Sequence, residues 1–114
     1  WESWSPERLA ELRAEGRPVL VNMTAAWCIT CLANERVALS SPAFRRSLSE
    51  NGIAYLKGDW TQRDERITRY LAQFGRNGVP VYALYPSGGG QPELLPQILT
   101  PDGVDAALTR AARR

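Results

Sequence analysis

The stretch TAAWCITCL, residues 24–32, holds the only two cysteines of the 114-residue chain. Cys28 and Cys31 are separated by Ile29 and Thr30, and Trp27 directly precedes them. Sulfur at this spacing supports three chemistries. A structural disulfide is one, but a bridge closing so short a loop removes little entropy from the unfolded chain. A zinc site is the second. Zinc takes about four ligands, and with no histidine and no third cysteine carboxylates or another chain would have to complete the set. The third is thiol–disulfide exchange, in which one thiolate attacks a disulfide and a second thiol resolves the mixed species.

Placement decides among them. The run VLVNMTAAWCITCLANERVAL reads as a strand, a short loop and a helix beginning at about Cys28. The unpaired N–H groups and macrodipole of a helix N-terminus favour an anion, and here the anion is the Cys28 thiolate. Cys31, one turn further in and shielded by the helix, is the natural resolving thiol. At i, i+3 the two side chains stand ~5–6 Å apart, within bridging reach. A CxxC pair at a strand-to-helix junction inside a βαβ pattern is therefore read as redox-active, with no cofactor beyond the dithiol itself. Glu35 follows Cys31 at i+4 and Cys28 at i+7 on the same helix face. It is expected to aim a carboxylate at the cysteines and away from bulk water, disfavouring the thiolate and exchanging protons with the site. The plainer alternative for Glu35 is a solvated helix charge paired with a neighbouring arginine.

The elements that must hold these residues have explicit boundaries. Ser5-Pro6, Ser41-Pro42 and Thr100-Pro101 each place a capping hydroxyl before a proline suited to a first helical turn. The first of these helices turns Leu9 and Leu12 inward and stops near Gly16. Thr61, with Asp64 three residues on, predicts another helix carrying Ile67, Tyr70, Leu71 and Phe74 on one face and ending at Gly75. Strands are predicted over 19–24 (VLVNMT), 53–60 (IAYLKGDW) and 81–85 (VYALY), all apolar enough for a mostly buried sheet. The turn-forming PSGGGQP leads to an antiparallel return over 93–98, which Pro96 confines to an edge. The order helix, strand, helix, helix, strand, helix, strand, strand, helix is that of an α/β sandwich with a mixed central β-sheet flanked by helices. Residues 1–114 are read as one domain.

Val79-Pro80 stands at the head of the 81–85 strand. Proline there can be a simple strand-start residue. The sharper expectation is a cis bond that turns the Val79 backbone towards the cysteines, where it pairs with an extended substrate.

Composition excludes other classes. The net charge of +2 is small, and basic residues are mixed with acidic ones apart from the tail Arg113-Arg114, so no nucleic-acid-binding stripe stands out. No apolar run approaches the roughly 20 residues that span a bilayer, and no basic-then-apolar leader opens the chain. A soluble domain is expected. Its start at Trp1 instead of methionine reads as a processed product or part of something longer.

Trp27-Cys28-Ile29-Thr30-Cys31 and Val79-Pro80 resemble the WCxxC motif and cis-proline of the thioredoxin superfamily. More closely, PVLVNMTAAWCITCLANERVAL and DWTQRDERITRYLAQFGRNGVPVYALYP are similar to the C-terminal thioredoxin-like domain of the DsbD-type thiol:disulfide interchange proteins. Glu35 and the Asp59-Trp60-Thr61 run point to that subgroup. The resemblance implies a thioredoxin-like fold, Cys28 and Cys31 as the catalytic pair with Glu35 beside them, and Trp27, Val79 and Pro80 at the substrate. It implies a periplasmic domain tethered to the inner membrane, passing electrons from a transmembrane domain to an N-terminal periplasmic domain, monomeric in isolation and without metal. A free-standing periplasmic reductase, or a non-catalytic binding module braced by its cysteines, are the alternatives. Departures from the thioredoxin pattern are Asn22 in place of a buried aspartate, Leu32 in place of a lysine, and Ile-Thr between the cysteines.

Overall fold

The computed structural model describes residues 1–113; Arg114, the end of the basic tail, lies outside them. The element order is β1 (Glu2–Ser3), α1 (Pro6–Ala14), β2 (Val19–Thr24), α2 (Ile29–Ala38), α3 (Pro42–Glu50), β3 (Ala54–Asp59), α4 (Glu65–Ala72), β4 (Val81–Tyr85), β5 (Glu93–Leu94) and α5 (Pro101–Ala112). The strands form one sheet in the order β1-β3-β2-β4-β5. Strand β3 runs parallel to β1 and β2, whereas β4 runs antiparallel to both β2 and β5. The sheet is thus mixed, as the sequence predicts.

The capping signals explain the helix starts. Ser5 Oγ accepts from Arg8 N at 3.0 Å, Ser41 Oγ from Phe44 N at 3.0 Å, and Thr100 Oγ1 from Gly103 N at 3.1 Å. In each case proline follows the cap, where its missing N–H costs nothing. Helix α4 starts later than predicted. Its cap is Asp64, whose Oδ1 accepts from Arg66 N at 2.7 Å, and Thr61 stands in a separate turn. Arg63, at φ 54°, breaks helical geometry between the two. Strand β5 is also shorter than the predicted 93–98, because Pro96 carries no N–H to continue the ladder. The two-residue β1 carries no periodic signal and was not predicted.

Alternation along the strands splits the apolar residues between two faces. Val19, Val21 and Met23 of β2 pack with Leu56, Val81, Ala83 and Tyr85 beneath α1 and α4, which contribute Leu12, Ile67, Tyr70 and Leu71. Leu20, Tyr55, Tyr82 and Leu84 face the other way, against Ala38, Phe44, Val104 and Leu108 from α2, α3 and α5. The antiparallel turn of β4 matters for the site. It brings the start of β4 to the same sheet edge as the ends of β2 and β3, and the chain leaving β5 reaches that edge too, since Leu95 N donates to Tyr82 O at 2.9 Å.

Burial raises the phenol pKa of Tyr55, Tyr70, Tyr82 and Tyr85, the four tyrosines of the chain. Tyr70 and Tyr85 share a hydrogen bond of 2.6 Å between their hydroxyls. A phenol whose folded pKa exceeds its unfolded value of about 10 contributes stability that is intact below pH 10 and lost above it, at up to about 1.4 kcal/mol per pH unit. Tyrosinate absorbance is therefore expected to appear together with cooperative loss of circular dichroism in alkaline titration. Titration of all four phenols near pH 10 in a chain that stays folded would contradict this.

Candidate active site

Strand β2 ends at Thr24, and the chain turns into α2 through a loop fixed from both sides. Cys28 N donates to Ala25 O at 3.1 Å, and Trp60 N donates to Thr24 O at 2.7 Å. Thr61 supplies the second support. Its Oγ1 accepts from Ala26 N at 2.8 Å, its carbonyl accepts from Trp27 Nε1 at 3.1 Å, and Asp59 Oδ1 accepts from Thr61 N at 2.9 Å. The Asp59-Trp60-Thr61 run is thus a buttress under the WCxxC loop. Trp27 packs on Trp60 with ring centroids 5.9 Å apart and remains 48% exposed.

Cys28 is the N-cap of α2, and its Sγ accepts from Cys31 N at 3.1 Å. The two cysteines are joined as a disulfide, with Cα atoms 5.2 Å apart. Both are largely covered, Cys28 being 7% and Cys31 3% exposed. The expected contrast in access has the right sign but is small in this form. Val79-Pro80 is cis, as expected, and Val79 O lies 3.9 Å from Cys28 Sγ. Among the described residues the Val79 N–H makes no hydrogen bond. Sequence-distant Trp27, Cys28, Val79 and Pro80 therefore meet at one edge of the sheet.

Glu35 departs from expectation. Its side chain is 40% exposed, and Oε1 sits 3.0 Å from Lys57 Nζ. It is not shielded from water, and its partner is a lysine of β3 instead of a neighbouring arginine. The reason is the register: Lys57 pairs with Asn22 of β2, so it projects on the face covered by α2. Cys31, Glu35 and Lys57 nevertheless line one groove of about 630 Å³, so the ion pair shares a solvated approach with the inner sulfur. Removing the carboxylate would leave the Lys57 cation unopposed in that groove, and a nearby positive charge stabilises a thiolate. Glu35→Gln is expected to lower the Cys28 pKa by about one unit. Titration of thiolate absorbance with Cys31 replaced by alanine, which removes coupled titration, checks this. An unchanged or raised value would make Glu35 a surface charge only.

Beneath α2 lie two buried amides. Asn22 Nδ2 donates to Tyr55 Oη at 2.9 Å, while its Oδ1 has no hydrogen-bond partner. Asn34 Nδ2 donates to Tyr82 Oη at 2.9 Å and to Gln97 O at 2.7 Å, and Leu99 N donates to Asn34 Oδ1 at 3.0 Å. Neither Lys57 nor Asn34 was singled out from sequence. A lone lysine inside the apolar run IAYLKGDW is the signal that marked the first; nothing local marks the second. Among the described residues no group of three or more His, Cys, Asp or Glu side chains is placed to hold a metal ion, and no helix is long and apolar enough to cross a membrane.

The chain is similar to proteins of known type. The chain is 32% identical over 108 residues, 93% of its length, to thiol:disulfide interchange protein DsbD 1 of Pseudomonas aeruginosa, of which it covers 18%. Over 82 residues, 72% of its length, it is 28% identical to DsbD of Escherichia coli K12, of which it covers 14%. It therefore spans less than a fifth of either relative. Among solved structures, the oxidised C-terminal domain of Neisseria meningitidis DsbD superposes with a TM-score of 0.76 at 19% identity, over 97% of this chain and 99% of that one. Trxlp from Edwardsiella tarda superposes with a TM-score of 0.70 at 26% identity, over 96% and 98%. The thioredoxin-like family model matches residues 1–87, which include the buttressed WCxxC loop, α2 and the cis-proline turn. The chain belongs to the thioredoxin-like family.

Proposed function

We propose that the chain is a thiol:disulfide oxidoreductase that relays electrons as the C-terminal domain of a larger DsbD-like membrane protein. In this reading Cys28 and Cys31 receive two electrons from a transmembrane domain and pass them to an N-terminal periplasmic domain. The chain is then a single periplasmic domain held at the inner membrane by the rest of the protein. Trp27, Val79 and Pro80 form the docking surface, where the free Val79 N–H is available to an extended partner strand. The observation that carries the reading is Cys28 Sγ at the α2 N-cap, bonded by Cys31 N and 3.9 Å from Val79 O. An N-cap sulfur meets the positive end of the helix and gains as a thiolate, while its neighbour one turn in can close the disulfide.

The chemistry balances within the pair. The Cys28 thiolate attacks a disulfide, one partner sulfur leaves as a thiolate and takes a proton, and the Cys31 thiolate then displaces the second. The protein dithiol becomes a disulfide and the partner is reduced by two electrons. The test is to mix the dithiol form with an oxidised N-terminal domain from a DsbD relative and, separately, with insulin. Rapid reduction of the DsbD domain and slow reduction of insulin supports the relay. Equal rates favour a free-standing reductase, and inertness towards both would make the chain a binding module.

A further inference from the structure

Arg63 is the only non-glycine residue with positive φ among the described residues, at 54°. Glycine or asparagine occupies this left-handed region at less cost than a side chain of this bulk. Arg63 follows a turn over Thr61 and Gln62 that it closes by donating N–H to Trp60 O at 2.8 Å. The guanidinium lies over two indoles, 5.2 Å from the Trp27 ring centroid and 5.1 Å from that of Trp60. Both rings are held independently, Trp27 through Nε1 to Thr61 O and Trp60 through Nε1 to Thr68 Oγ1. The cation is thereby fixed on the ring that adjoins Cys28.

The charge is left available. Arg8, Arg66, Arg69 and Arg110 each have a carboxylate within ion-pairing distance, but Arg63 has none among the described residues. Of the acids close in sequence, Asp64 turns Oδ1 to Arg66 N, Glu65 lies 3.8 Å from the Arg69 guanidinium, and Asp59 turns Oδ1 to Thr61 N. Arg63 is exposed. A guanidinium stacked on aromatic faces keeps its N–H groups at the edge, where they match the two oxygens of a carboxylate.

We infer that Arg63 is a specificity-determining residue that selects disulfides flanked by a carboxylate and presents them to Cys28. The inference rests on the exchange activity proposed above and adds the charge of the partner. The step is the same balanced exchange, and the carboxylate remains unchanged while it guides the disulfide onto the thiolate.

Three small disulfides separate this from a purely structural role. They are dianionic 3,3'-dithiodipropionate, dicationic cystamine and neutral bis(2-hydroxyethyl) disulfide. Each is mixed at low salt with the reduced chain, and the second-order rate of oxidation is measured for wild type, Arg63→Gln and Arg63→Glu. The quantity of interest is the ratio of the anionic to the cationic rate. It is expected to fall about 5-fold in Arg63→Gln and by more than about 10-fold in Arg63→Glu, with the differences shrinking at high salt. If the rates for all three disulfides drop together, or none changes, so that the ratio stays at the wild-type value, the guanidinium only props the indoles and the inference is overturned. A wild-type chain inert towards all three overturns the inference alone, and inertness towards the oxidised DsbD domain as well removes the exchange reading with it.

Discussion

Cys28→Ser is expected to abolish disulfide reduction, whereas Cys31→Ala should retain attack and accumulate a mixed disulfide with the partner. The division of labour does not come from exposure, since 7% and 3% leave both sulfurs largely covered in the oxidised form. It comes from position. Cys28 lies outside the first turn of α2, where its sulfur accepts the Cys31 amide and faces Val79 O, so a bound partner strand would meet it first. Cys31 lies inside the helix against Ala25 and the inner side of the groove. A thiolate at Cys28 gains from the helix N-terminus, by roughly 0.3–1 kcal/mol when exposed and up to about 2 when partly buried. Cys31 is a turn further in and gains less. Without Cys28 no thiolate stands on the docking side. Without Cys31 the first exchange proceeds, but the mixed disulfide has no internal thiol to release it. Non-reducing gels of each variant with an oxidised partner give the answer. Trapping by Cys28→Ser, through Cys31 alone, would reverse the assignment.

The parts of this site that sequence disclosed are those fixed by local chemistry. Cys28, Cys31 and Trp27 share one loop, and Ser5, Ser41 and Thr100 announce their helices because cap and proline are adjacent. Apolar periodicity placed Leu12, Ile67, Tyr70 and Leu71 in the core for the same reason. Misreadings arose where a side chain had two possible partners. Thr61 has the form of a helix cap, but its hydroxyl serves Ala26, in the loop between β2 and α2, and Asp64 takes over the cap. Glu35 sits on the expected face, yet what it pairs with is set by the register of β3 against β2, which brings Lys57 under α2. No window of the sequence contains that register. Asn34 is the extreme case, because its three partners lie 48 to 65 residues away.

Asn34→Ala is expected to cost about 2–4 kcal/mol, as three hydrogen bonds disappear and their partners stay behind without replacements. The residue is 3% exposed and bonds Tyr82 of β4 on one side and the backbone of Gln97 and Leu99 on the other. It thus ties the helix bearing the cysteines to the strand that follows Pro80 and to the segment leading into α5. A domain of this size has roughly 5–15 kcal/mol in total, so the loss should lower the urea midpoint clearly without preventing folding. Asn34→Asp sharpens the test, because it keeps the acceptor for Leu99 N while turning the donor of Nδ2 into an oxygen facing Gln97 O. Ionised and buried against a carbonyl, the carboxylate is disfavoured, so its folded pKa lies above the unfolded value of about 3.9. Stability of this variant is then fullest below that value and falls as pH rises through the folded pKa. At neutral pH it should be at least as unstable as the alanine variant, and acidification should restore part of the difference as the carboxyl regains an O–H donor. Chemical denaturation of both variants across pH measures this. A loss below about 1 kcal/mol, or an aspartate variant indifferent to pH, would show that Gln97 and Leu99 find other partners and that Asn34 does not clamp the active-site helix.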